Sequence, residues 1–82
     1  MKAYDGMVFK SGCIGVKLTA RGKNDPHICF SFMSEDDERW FDTPTGSGWS
    51  MAWWKDLKEV MKRVETNLER TAKKTKWGYE FK

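Results

Sequence analysis

Apolar and polar residues alternate along two segments in the first half of the chain, residues 13–19 and 27–33. Successive side chains of a strand point to opposite faces, so this period of two predicts two half-buried strands. Turn-forming residues at 21–26 predict a hairpin between them, in a register that places Cys29 opposite about residue 17. Short segments at 7–10 and 39–42 complete a predicted antiparallel meander of four strands. The apolar members of the two alternations are Ile14, Val16, Leu18, Ile28, Phe30 and Phe32.

The second half of the chain carries apolar residues every three or four positions, which is typical of an amphipathic helix. Ser50 is the expected N-cap, and Trp49 and Trp54 then flank it as a hydrophobic staple. Gly78 is the expected stop. A helix of about 25 residues would be roughly 37 Å long. Glu59 and Arg63 are expected to pair along its exposed side.

The apolar stripe of this helix predicts a second copy of the chain. One short meander is not expected to cover a stripe of that length and width. Part of the sheet, part of a partner's helix, or both must then cover the stripe. This favours a homodimer with the helices packed across a two-fold axis. The predicted interface residues are Trp53, Leu57, Val60, Met61, Val64 and Leu68.

With 82 residues the chain is expected to form one domain. Its predicted class is α+β, a four-stranded curved antiparallel sheet followed by one long C-terminal helix. Residues 7–68 form the expected core, and residues 69–82 form the helix end and a basic, aromatic tail. No secretory signal and no apolar run of roughly 20 residues is present, so the two cysteines are expected to be reduced and the protein cytoplasmic, or nuclear in a eukaryote, with no membrane partner.

Charge is distributed unevenly along the chain. Residues 1–34 carry five basic and two acidic residues, a net of +3. Residues 35–42 carry five acids and one arginine, a net of −4, and residues 43–82 carry nine basic and five acidic residues, a net of +4. A basic body with one acidic loop suits an anionic partner, although solubility alone would account for the same net charge.

The residue types argue against an enzyme. The single histidine, His27, has no fixed relation to a cysteine or serine, so no nucleophile–base pair is expected. Two cysteines and one histidine lack zinc-ligand spacing, and the acidic run at 35–38 is interpreted as a solvated loop. No catalytic residue, metal or cofactor is therefore predicted.

The tail at 73–82 interleaves cations with Trp77, Tyr79 and Phe81. Cations that follow phosphates and rings that stack on bases are the usual means of binding single strands. The same composition suits a tail that folds over its own domain or over a partner. The sequence leaves both interpretations open.

The order of these elements resembles the PC4-like family of transcription-coactivator domains that bind single-stranded DNA. The resemblance covers residues 7–68. It is carried by the stretches MVFK, IGVKL, ARGK, ICFSF and WKDL, followed by Met61 and Val64.

The resemblance implies a dimer whose two sheets form a channel for single-stranded DNA. By position, it implies that the DNA is bound by Lys10, Lys17, Arg21 and Lys23. The chain departs from the family at Ala20, where an aromatic residue is usual. Arg39 and Trp40 are the residues expected to compensate.

Two functional hypotheses follow. The leading one is a non-enzymatic homodimer that binds single-stranded DNA with little sequence preference, serving replication, recombination or transcription together with proteins of those processes. The alternative is a small regulator that docks a polymerase or nuclease and binds no nucleic acid.

Overall fold

A computed structural model of the chain describes residues 1–12, 14–34, 40 and 51–82, with all of their side chains except those of residues 34 and 51–53. It shows an α+β fold with an antiparallel sheet, which confirms the predicted class. The elements are β1 (Val8–Ser11), β2 (Ile14–Gly22), β3 (Asp25–Ser34), α1 (Met51–Thr71), β4 (Lys73–Thr75) and β5 (Gly78–Glu80). The sheet has the strand order β1-β2-β3-β5-β4.

The hairpin of β2 and β3 is longer and tighter than the sequence suggested. The strands extend to the pair Gly22 and Asp25, which leaves only residues 23 and 24 in the turn, and the register shifts between Ala20 and Gly22. The sequence pattern placed Cys29 opposite residue 17, whereas the structure pairs it with Thr19. A slip of two residues keeps every side chain on its face, so the predicted faces survive the change in register.

The core forms where one face of β2 packs on α1. Ile14, Val16 and Leu18 are 0–1% exposed, and Val60 and Val64 of the helix are 0% exposed. Burying side chains of this size contributes about 1.5–3 kcal/mol each. Phe9, Ile28, Phe30, Phe32, Met61, Tyr79 and Phe81 pack around this centre as half-buried residues.

This packing changes the role of the predicted dimer residues. Leu57, Val60, Val64 and Leu68 are all 7% exposed or less within a single chain, so the sheet of the same chain covers them. We expected that one short meander could not cover the stripe. Residues 1–7 and a second hairpin of the same chain provide additional cover, which the sequence did not indicate. Met61 remains half-buried at the side of the helix, and the side chain of Trp53 lies outside the description.

Residues 1–7 run beside β2 and the end of the helix. The Ala3 N–H donates to Thr71 Oγ1 at 3.0 Å, and Asn67 Nδ2 donates to the Met1 carbonyl at 2.7 Å. The Leu18 N–H donates to the Met7 carbonyl at 2.8 Å, which continues the β1 side of the sheet toward the N-terminus. These bonds place Ala3 and Met7 in the core.

The helix ends at Thr71, seven residues before the predicted stop at Gly78, and it is not the last element. The basic tail forms the hairpin of β4 and β5, which brings the sheet to five strands among the described residues. Gly78 has a φ of 130°, a conformation that favours glycine, and it closes the turn of that hairpin. Tyr79 and Phe81 alternate with polar residues and pack against the core, which draws the tail into the sheet.

Several sequence-based expectations lie outside the described residues. They are the Ser50 cap, the Trp49 half of the staple and most of the predicted strand at 39–42. Trp40 is described, and it has no strand assignment. Glu59 and Arg63 form no ion pair, because the Arg63 guanidinium donates to the Lys10 carbonyl instead. In the described part of the chain, no helix is long and apolar enough to cross a membrane.

We expect Val64→Glu to unfold the protein, because the new carboxylate would be buried among aliphatic side chains without a partner. Such burial costs several kcal/mol, against a total stability of about 5–15 kcal/mol for a typical domain. Circular dichroism during urea denaturation measures the effect. The matched control, Lys58→Glu, introduces the same side chain on the exposed side of the helix and should remain folded. A folded Val64→Glu variant would contradict the described packing.

Candidate nucleic-acid interface

The sheet has one face that the helix does not cover. Because Ile14, Val16 and Leu18 point to the helix, the residues between them on β2 point away from it. Directly paired residues on neighbouring strands share a face, which extends the assignment to β1 and β3. We call this side the outer face, and its residues are Val8, Lys10, Gly15, Lys17, Thr19, Cys29, Ser31 and Met33.

Trp40 lies on the outer face over Gly15. A Cβ atom added at Gly15 would lie 3.2 Å from Cη2 of the indole and 3.9 Å from Cγ of Lys10. Such a Cβ would be tighter against the ring than most real contacts, so the missing side chain allows the indole to approach the backbone.

Lys17 and Lys10 flank this indole. The Lys17 ammonium is 4.7 Å from the centre of the Trp40 ring, a cation–π distance. Lys10 pairs with Gly15 across the β1–β2 ladder, so its stem lies beside the same ring. The structure therefore brings together Lys10, Lys17 and Trp40, which the sequence analysis selected separately. Arg39 lies outside the described residues.

Arg21 and Lys23 lie at the tip of the β2–β3 hairpin, apart from this cluster. Arg21 is four residues from Lys17 along the strand, about 13 Å at the usual rise. Its side chain is 71% exposed, with Nε 3.8 Å from Asp25 Oδ2. The carboxylate partly offsets the arginine charge, whereas Lys23 forms no ion pair with any described residue.

His27 holds a contact that the sequence analysis missed. Its Nδ1 is 2.6 Å from Asp25 Oδ1, and its Nε2 is 3.2 Å from Glu80 Oε2. Glu80 lies on β5 and pairs directly with His27, the one registered pair between β3 and β5 in the described residues. No spacing in the sequence indicates this contact, because the two residues are far apart along the chain.

The tail divides its aromatic residues between the core and the solvent. Tyr79 and Phe81 pack on the core. Trp77 lies in the turn of the β4–β5 hairpin and is 80% exposed, with the Lys76 ammonium 5.3 Å from its ring centre. The tail thus folds over its own domain and still presents one cation–aromatic pair to solvent.

Among the described residues, no group of three histidine, cysteine, aspartate or glutamate side chains is arranged to hold a metal ion. Cys29 is an exposed free thiol, and Cys13 lies outside the description. Comparisons of the chain with protein families, with curated proteins and with solved structures found no match in any of the three.

We expect the Asp25 carboxyl to titrate below its usual value of 3.8. Hydrogen bonds from the side chain and then the backbone of His27 lower the pKa of Asp25, and the charges of His27 and Arg21 lower it further. A lowered folded-state pKa stabilises the fold above the unfolded-state pKa, and this contribution is lost as pH falls through the lowered value. A carboxyl titration followed by NMR measures it.

His27→Ala should return the pKa of Asp25 toward 3.8. The control Lys23→Ala removes a nearby charge that does not contact the carboxyl, and it should leave the pKa lowered. An unchanged Asp25 titration in the His27 variant would refute the described contact.

Proposed function

We propose that the protein binds single-stranded DNA on the outer face of its sheet. The observation that supports this most directly is the cluster of Lys10, Lys17 and Trp40 on the face that the helix leaves free. Ammonium groups bind phosphates, and an indole stacks on a base at about 1–3 kcal/mol per base.

The surroundings of the cluster suit a long anionic ligand. Several outer-face residues are small, so a DNA strand can approach the sheet closely. They are Gly15, Thr19, Cys29 and Ser31. None of the eight residues of the outer face is acidic. Arg21 and Lys23 extend the cationic surface to the hairpin tip. Contacts to phosphates dominate such an interface, which favours binding with little sequence preference.

We further propose that the protein is a homodimer with its contact on the side of Met61. A groove of about 330 Å³ lies between the helix and the β4–β5 hairpin, and it is largely apolar. The half exposure of Trp54 and the 80% exposure of Trp77 leave large rings open to solvent in the single chain. The residues of the groove used here are Ile28, Phe30, Met61, Trp77 and Tyr79.

The same groove favours the second candidate function, a regulator that docks another protein. An apolar groove beside an exposed tryptophan suits a protein side chain better than a phosphate. The two functions differ in their response to oligonucleotides, because a regulator of this kind would bind none.

Replacing Lys10 and Lys17 together by glutamine should weaken binding to single-stranded DNA and flatten its salt dependence. Glutamine is polar and only one bond shorter than lysine, and it removes the charge. Each phosphate contact contributes a slope of about −0.7 in log affinity against log salt, so two lost contacts flatten it by about 1.4. Fluorescence titration of oligothymidine at several salt concentrations measures both quantities.

The matched control is the pair Lys74→Gln and Lys76→Gln in the β4–β5 hairpin, which removes the same charge. If the Lys74 and Lys76 variant loses binding and the Lys10 and Lys17 variant does not, the DNA-binding surface is the tail and not the outer face. Absence of wild-type binding at low salt would reject the proposal and favour the regulator. Arg21→Ala and Lys23→Ala, made separately or together, should also weaken binding. The effect of Arg21→Ala alone should be the smaller one, because Asp25 lies beside Arg21.

Met61→Glu should give a folded monomer if the homodimer uses the apolar groove. Met61 is half-buried, so a carboxylate there remains hydrated in the single chain and is desolvated only in a dimer. Light scattering gives the mass, and circular dichroism checks the fold. Lys58→Glu serves as the control and should remain dimeric. A monomeric wild type would end the homodimer proposal.

A further inference from the structure

A second groove lies between the edge strand β1 and the helix. Its volume is about 330 Å³, and Phe9 contributes from the strand. From the helix, Lys62, Arg63 and Arg70 line it, and Glu59 is the one acidic residue among the described residues of its lining. Three cations against one carboxylate make this groove basic.

Lys62 and Arg70 are eight residues apart on the helix. This spacing places them roughly 12 Å apart along the axis and about 80° apart around it, and both line the groove. Neither side chain forms an ion pair with any residue that the structure describes. Both charges are thus available to an anionic ligand that runs along the groove.

Lys10 connects this groove to the outer face. Its side chain lies beside Trp40 on the outer face, while its backbone carbonyl accepts a hydrogen bond from the Arg63 guanidinium. The edge of β1 therefore separates two cationic surfaces that meet at one residue. A ligand that leaves the outer face at Lys10 reaches the groove directly.

We propose that a single strand bound on the outer face turns around the edge of β1 and continues into this groove, where Lys62 and Arg70 bind its phosphates. The inference rests on the proposed function of the outer face. It adds a second binding segment on the helix side of the sheet, with Phe9 as an apolar surface for a base.

The path around β1 selects for single strands. The outer face and the groove lie on opposite sides of the sheet, so a ligand that contacts both must turn sharply. Duplex DNA has a persistence length of about 50 nm, and bending a short site by 40–90° costs about 1–6 kcal/mol or more. A flexible single strand makes the turn at much lower cost. The path therefore provides discrimination without any contact to a particular base.

The test compares a short and a long oligothymidine, of about 6 and about 20 nucleotides, lengths that bracket usual single-strand sites. Replacing Lys62 and Arg70 together by glutamine should weaken binding of the long strand and flatten its salt slope by about 1.4. Binding of the short strand, which the outer face accommodates alone, should not change. The control pair is Lys58→Gln and Lys76→Gln, two exposed cations outside the groove.

The Glu59→Gln variant should have the opposite effect on affinity. Removing the one acidic residue of the groove should tighten binding of the long strand at low salt and leave the short strand unaffected. A variant that merely damaged the fold would not strengthen binding, so this result separates a direct role from a structural one.

The inference is overturned if the Lys62 and Arg70 variant binds the long strand as the wild type does, or if a duplex of equal length binds as tightly. In either case binding of the short strand can persist, and the outer-face proposal then survives. If the wild type binds neither strand, the proposed function fails and the inference fails with it.

Discussion

The contact between β2 and α1 is the interaction on which the rest of the molecule depends. Ile14, Val16 and Leu18 interlock with the helix, and the most buried residues of both elements are 0–1% exposed. A chain of this length buries only about 60–65% of its unfolded surface, so it has little stability in reserve. One well-packed layer must therefore provide most of the stability, and it leaves the opposite face of the sheet free.

The alternation of β2 produces both faces at once. Because side chains alternate along a strand, the residue after each aliphatic core residue lies on the outer face. These residues are Gly15, Lys17 and Thr19. Gly15 illustrates the connection, because it lies between two core residues and its missing side chain is where Trp40 approaches the sheet. The same nine residues of β2 thus contribute both to the stability of the core and to the chemistry of the outer face.

Polar contacts reinforce the packing at the periphery of the sheet. Residues 1–7 are tied to β2 and to the end of the helix by hydrogen bonds. The β4–β5 hairpin is joined to β3 by the His27–Glu80 pair and by the Phe81 N–H, which donates to the Pro26 carbonyl at 3.0 Å. Arg63 joins the helix to β1 through the Lys10 carbonyl. Cations such as Lys10, Lys62 and Arg70 remain exposed along this edge of the sheet.

The sequence by itself determined the elements whose periodicity is local. Strands β2 and β3, the helix and its buried stripe all follow from spacing along the chain, because burial of one face imposes a period of two or of 3.6. For the same reason the outer-face position of Lys17 was predictable, and even a two-residue error in register did not alter it.

Only the tertiary structure decided what fills the space beside these elements. The helix stripe suggested a partner chain, but the sheet of the same chain, assisted by residues 1–7 and by the tail hairpin, covers most of it. Gly78 was expected to end the helix and instead closes a hairpin. The ring of Trp40 over Gly15, the His27–Glu80 contact and the basic groove beside β1 all join residues far apart in sequence. Such contacts depend on the three-dimensional path of the chain, which no local period encodes.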